Sequence, residues 1–135
     1  MKKAVIIFLN LVLVTLCYGQ EIRFQLSSHI LDVSTGKPAA GVKVKLQKSQ
    51  MDNTSWEDIG VRFTDTNGRV NDFLPVSQDN QGVYKLTFYT EAYFKQEKSE
   101  SFYPYIEVIF IISDDKHYHV PITLSPYGYS TYRGS

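Results

Sequence analysis

Residues 42–48 alternate, with Val42, Val44 and Leu46 set against Lys43, Lys45 and Gln47. Successive side chains of a strand point to opposite faces, so this run predicts a half-buried strand with its apolar residues inward. The same period returns at residues 117–124. There Tyr118, Val120, Ile122 and Leu124 share an apolar face, and His117, His119 and Thr123 share the other. Pro121 falls on the second side and lacks an N–H, which predicts an edge strand or one paired on a single side at that point. Residues 24–33 predict the first strand. Leu26, Ser28 and Ile30 lie on one face; Gln25, Ser27, His29 and Leu31 lie on the other, so His29 sits on the more polar side.

Further strands are predicted over residues 56–64, 70–74 and 82–89. Residues 106–112 are almost continuously apolar. That predicts a strand buried on both faces, or one with a face in the core and a face in a subunit contact. The one helical candidate spans residues 90–100, with Thr90 placed to cap it and Glu91 at its positive end. Gly and Pro punctuate a loop over residues 34–41, and residues 51–55 and 114–116 are polar connections. Asn67-Gly68 signals a tight turn with both residues at φ > 0, from which Arg69 emerges directly. Seven or eight short strands and one short helix predict an all-β, two-sheet β-sandwich in a single domain over residues 20–135. Residues 127–135 follow as an aromatic, glycine-punctuated tail with three tyrosines and Arg133, a composition suited to packing against something.

Composition changes this picture in two places. Ten Tyr and eight Phe against one Trp and two Met favour strands over helices. Fourteen basic residues balance fourteen acidic ones, which leaves no electrostatic case for a nucleic-acid partner. Met1-Lys2-Lys3 followed by an apolar run to Leu16 reads as a secretory signal, with cleavage expected after Gly19. The run is too short to span a bilayer as a stable helix, so no membrane association is expected after cleavage. A lipid anchor on Cys17 is the lesser alternative, because Leu16 before it is bulky. Loss of residues 1–19 removes Lys2, Lys3 and the only cysteine, leaving 12 basic against 14 acidic residues and a formal charge of −2. The product has neither disulfide nor thiol nucleophile and is expected in a secreted or periplasmic compartment.

No phosphate-binding Gly-rich loop and no Gly-x-Ser-x-Gly elbow occurs. The chemistry must come from His29, His117 and His119. Three readings are open. The three could ligate zinc, His-x-His projecting two ligands to one side of a strand. They could be plain exposed strand histidines. Or an imidazole could deprotonate water without a metal while a nearby arginine holds a planar substrate and the charge developing on a carbonyl oxygen. Arg69, fixed behind a turn, and Arg133, in the aromatic tail, are the candidates.

Five stretches together carry a family resemblance: residues 27–32 (Ser-Ser-His-Ile-Leu-Asp), 35–41, 64–69 (Thr-Asp-Thr-Asn-Gly-Arg), 117–121 (His-Tyr-His-Val-Pro) and 125–135. The chain resembles the 5-hydroxyisourate hydrolases, the transthyretin-related enzymes of urate breakdown. Its ending, Tyr132-Arg-Gly-Ser135, is the most specific element, because the hormone-carrying transthyretins share the fold and lack it. The resemblance implies a transthyretin-like sandwich assembled as a homotetramer, a dimer of dimers, with no cofactor and no metal. It implies a site formed by His29, Arg69, His119 and Ser135 as catalytic groups. His29, Arg69, Tyr132, Arg133 and Gly134 would bind the substrate. Asn67 stands where the family usually carries Asp, which suits a tight turn equally well. The alternative implied by the shared fold is a non-catalytic carrier of a small aromatic ligand.

Overall fold

The computed structural model describes residues 19, 21–51 and 54–135. The expected signal segment therefore lies outside the described residues, apart from Gly19. The elements are β1 (Phe24–Asp32), β2 (Lys37–Pro38), β3 (Lys43–Ser49), β4 (Trp56–Phe63), β5 (Arg69–Pro75), β6 (Gly82–Tyr89), α1 (Glu91–Gln96), β7 (Ile106–Ile112), β8 (Tyr118–His119), β9 (Ile122–Ser125) and β10 (Gly128–Thr131).

They form the expected two-sheet sandwich. One sheet is a plain antiparallel ladder in the order β4-β3-β6-β7. The other is built around β1. The first half of β1 lies between β5, antiparallel, and β8, parallel. Its second half lies between β2, antiparallel, and β9, parallel, and β10 adds beyond β9. The inward faces are those that the alternation marked. Leu26, Ile30, Val44, Leu46, Leu86, Phe88, Ile122 and Leu124 are each at most 1% exposed. Burial of each such side chain stabilises the fold by about 1.5–3 kcal/mol.

Several expectations are corrected. The strand anticipated over residues 117–124 breaks at Val120 and Pro121 into β8 and β9. Proline has no N–H for the ladder, and the Val120 N–H is used by the Ser27 carbonyl at 3.0 Å. Pro121 is buried, and β9 is an inner strand, because the tail returns as β10 and pairs along its far side. The Thr131 hydroxyl donates to the Pro121 carbonyl at 2.9 Å. In the turn before Arg69, Gly68 alone takes positive φ (+70°) and Asn67 does not. This turn is a corner between sheets, so the twist requirement of a two-residue hairpin does not apply to it.

The helix covers six residues rather than eleven. Lys98 takes the left-handed conformation (φ 56°), and the Ser99 N–H closes on the Phe94 carbonyl at 2.9 Å, which ends it. Thr90 occupies the N-cap position without a side-chain cap bond. Its backbone is already near-helical (φ −87°, ψ −16°), unlike the extended geometry that aims a capping hydroxyl at the first turn. β7 is buried on one face only: Ile109 and Ile111 are 59% and 64% exposed.

Candidate active site

Strand register assembles the chemical groups. Ser27 and His29 are two residues apart on β1 and so share a face. Arg69 on β5 pairs with His29, and His119 on β8 pairs with Ser27. Directly paired residues project side by side on the same face. Three neighbouring strands thus bring two imidazoles, a hydroxyl and a guanidinium into one patch.

A cavity of about 470 Å³ opens over it, lined by Ser27, Arg69, Asn71, His117, His119, Tyr132, Gly134 and Ser135. His29, paired with Arg69 on the adjacent strand, is not among its lining residues. A smaller polar cavity, about 370 Å³, lies near the start of β1 and includes Gln25, Asn80 and three aspartates. It contains no imidazole, and its buried amides are bonded to each other and to backbone carbonyls.

The turn before β5 holds Arg69 rigidly. The Asp65 carboxylate accepts the Asn67 and Arg69 N–H groups, each at 2.9 Å. The Asp65 N–H donates to the Arg69 carbonyl, and the Gly68 N–H donates to the Asp65 carbonyl, again at 2.9 Å. The corner docks on β1 so closely that a Cβ on Gly68 would lie 2.6 Å from the Ile30 carbonyl oxygen. Arg69 itself is exposed and forms no ion pair among the described residues.

The tail closes the other side. The Gly134 N–H donates to the His119 carbonyl at 2.8 Å. A Cβ on Gly134 would come within 2.4 Å of His119 Cδ2, so the backbone crosses directly against the imidazole. Tyr132, Gly134 and Ser135 all line the histidine cavity. Arg133 does not. It points to the opposite side, where its guanidinium lies 4.6 Å from the Tyr118 ring centroid, in an apolar groove with Val108, Ile109 and Ile111. The Arg133 side chain, expected to bind substrate, therefore does not line the histidine cavity.

The electrostatics favour neutral imidazoles. Burial, then the Arg69 charge, lowers the His29 pKa from the usual histidine range, against an opposing pull from the Asn67 carbonyl and Asp65. His119 is lowered by burial first, then by Arg69, His29 and His117. A neutral ring beside a fixed cation suits a general base.

The zinc arrangement does not form. Among the described residues no three His, Cys, Asp or Glu side chains stand close enough to share a metal ion. His117 Nε2 and His119 Nδ1 are each taken up by the Ser27 hydroxyl at 2.8 Å. Ser27 and Asn71 are lining residues that were not singled out. Their signal was available: Ser27 shares the polar face of His29, and Asn71 follows Arg69 at the strand period.

Comparison with known proteins agrees with this fold. The profile of the HIUase/Transthyretin family matches residues 26–134. A Caenorhabditis elegans protein named as a probable 5-hydroxyisourate hydrolase is 51% identical over 111 residues, which cover 82% of this chain and 81% of that protein. The solved structure of Klebsiella pneumoniae 5-hydroxyisourate hydrolase superposes with a TM-score of 0.71 at 38% identity, over 83% of this chain and 99% of that one. Sea bream transthyretin in complex with thyroxine superposes with a TM-score of 0.76 at 31% identity, over 82% and 94% of the two chains. With sequence and architecture in agreement, the chain belongs to the HIUase/transthyretin family.

Proposed function

We propose that this chain hydrolyses 5-hydroxyisourate to 2-oxo-4-hydroxy-4-carboxy-5-ureidoimidazoline, a step of urate breakdown. The observation that carries the reading is the convergence of His119 and Arg69 on one cavity, with His29 paired to Arg69 on the adjacent strand and Tyr132, Gly134 and Ser135 closing the far side. Water enters beside His119, whose neutral ring takes its proton as the oxygen attacks a ring amide carbonyl. The Arg69 guanidinium stabilises the oxyanion. The carbon–nitrogen bond then breaks, and the proton passes from His119 to the departing nitrogen. His29 orients the water and substrate, Tyr132 covers the ring, and Ser135 contacts the reacting group.

Decay of freshly generated 5-hydroxyisourate, followed by absorbance, tests the proposal. The chain from Gln20 onward should accelerate decay, and deletion of residues 132–135 should abolish the acceleration. The second reading is a carrier of a small aromatic ligand, favoured by the superposition on thyroxine-bound transthyretin, whose TM-score of 0.76 exceeds the 0.71 of the hydrolase. Unaccelerated decay together with tight binding of such a ligand would select it.

Two further proposals accompany this one. β7 and β10 end their sheets with open edges, and exposed Ile109 and Ile111 lie beside the first of these, which supports assembly into a homotetramer. Light scattering on the purified chain should return four times the protomer mass. The basic start and apolar run of residues 1–16 support export with cleavage after Gly19, which N-terminal sequencing of the exported product would check.

A further inference from the structure

Ser27 is 6% exposed, and its hydroxyl lies 2.8 Å from both His117 Nε2 and His119 Nδ1. On its far side, His117 Nδ1 lies 3.3 Å from the Phe24 carbonyl oxygen. These contacts form one chain with a single consistent direction. A carbonyl oxygen accepts only, so His117 Nδ1 carries a hydrogen and donates it. In a neutral ring, His117 Nε2 is then the acceptor. The Ser27 hydroxyl has one proton, and it goes to that acceptor. The Ser27 oxygen therefore accepts from His119 Nδ1–H. A neutral His119 protonated at Nδ1 has its lone pair on Nε2, an atom without a hydrogen-bond partner among the described residues, in a ring that lines the cavity.

We propose that Ser27 and His117 are positioning residues for the hydrolysis, holding His119 in the tautomer whose Nε2 lone pair can take a proton from water. The inference rests on the proposed hydrolase reading and adds a directional support behind its base, an arrangement in which the orienting partner sets which nitrogen is free. The groups facing His119 are Ser27 and His29 from β1, Arg69 from β5, His117 from the segment before β8, and Ser135 from the tail. None of the others supplies a bond to Nδ1, so the tautomer depends on Ser27 alone and, through it, on whether His117 Nε2 is available to accept.

The test is a long-range proton–nitrogen NMR correlation on the ¹⁵N-histidine-labelled chain, run beside steady-state kinetics. The unsubstituted protein should show His119 protonated at Nδ1. In His117→Phe the Ser27 hydroxyl loses its acceptor and turns to donate to His119 Nδ1. The pattern should invert to Nε2–H, with kcat reduced about tenfold or more and KM within about twofold. His117 is exposed, so this variant leaves the core untouched. Ser27→Ala should also lower kcat, and Ser27→Thr, which restores a hydroxyl, should recover most of it. A purely structural role for the pair would leave the His119 pattern unchanged. That result, an unchanged kcat in His117→Phe, or Nε2–H in the unsubstituted protein, overturns the inference. Failure of the hydrolase reading shows separately, as an unsubstituted chain that does not accelerate decay at all.

Discussion

The two sheets of this sandwich solve different problems. β4-β3-β6-β7 is antiparallel throughout and has one bulge, between Leu46 and Gln47. Its inner face is aliphatic and aromatic, with Leu46, Leu86 and Phe88 fully enclosed. The sheet around β1 mixes parallel and antiparallel pairing, is interrupted at Pro121, and has a bulge between Leu26 and Ser28. It also buries polar side chains: Gln25, Ser27, Ser28 and Asp32 are all nearly inaccessible, and each is hydrogen-bonded. A regular ladder has no means of aiming four different polar groups at one point. The irregular sheet does so because its interruptions let β5 and β8 each meet β1 over a few residues, while the tail bridges onto His119 of β8. Both sheets supply the core, but only the irregular one gathers the chemical groups.

That division breaks first, if it breaks, in the regular sheet. Phe88→Ala removes an enclosed ring from β6 and should destabilise the fold by about 3–5 kcal/mol. Calorimetry should show Tm lowered by more than about 10 °C. Turnover per folded molecule should be unchanged below the transition. A large loss of turnover with little change in Tm would mean that the regular sheet shapes the site after all.

The converse variants are Arg69→Ala and His119→Ala. Each should cut turnover by roughly 10²-fold or more, equivalent to about 2.7 kcal/mol of barrier, with little change in Tm because neither side chain belongs to the core. Near-normal turnover in both would remove the assignment. Gly134→Ala is gentler. Its Cβ would lie 2.4 Å from His119 Cδ2, so the ring or the tail must yield by roughly an ångström to reach ordinary contact. We expect about a tenfold fall in kcat, the scale on which misplaced catalytic groups lose rate, and a melting curve that superposes on the parent. A lower Tm with full activity would instead make the contact a structural strap.

The same contrast decides how much was legible in the sequence. Alternation at Val42, Val44 and Leu46 marked the inner face of β3 because a regular strand expresses its environment as a period of two. Alternation also placed His29 and His119 off the core, and the turn signal singled out Arg69. Three things were hidden, each for a non-local reason. Pro121 reads locally as an edge residue, and only the return of residues 128–131 as β10 buries it. Arg133 looked placed for substrate because it stands among tyrosines, but the Gly134–His119 bridge sets the tail's phase and turns it over Tyr118. The Ser27–His117 contact joins residues ninety positions apart, and no spacing rule within either stretch signals it.

The smallest expected effect concerns proton binding in the irregular sheet, and its sign follows from the causes named above. His29 and His119 have folded pKa values below the 6.5 of an unfolded histidine. Between that value and the folded ones, the unfolded chain binds more protons than the native one, so stability present above pH 6.5 is lost as pH falls through the folded values. Both rings are only partly buried, so the loss should be small once solvent screening is allowed for. Arg69→Gln removes the second-largest cause acting on both. Their titration midpoints, followed by NMR, should move up together while remaining below 6.5, because burial persists. The acid-side loss of stability should shrink in step. The variant must leave Phe88 and the opposite ladder unaffected at neutral pH, so its Tm there should match the parent. If only one histidine moves, the Arg69 charge does not reach both rings across β1 as the strand register places it. If neither moves, the cation is not facing them, and the patch on β5, β1 and β8 is not one electrostatic unit.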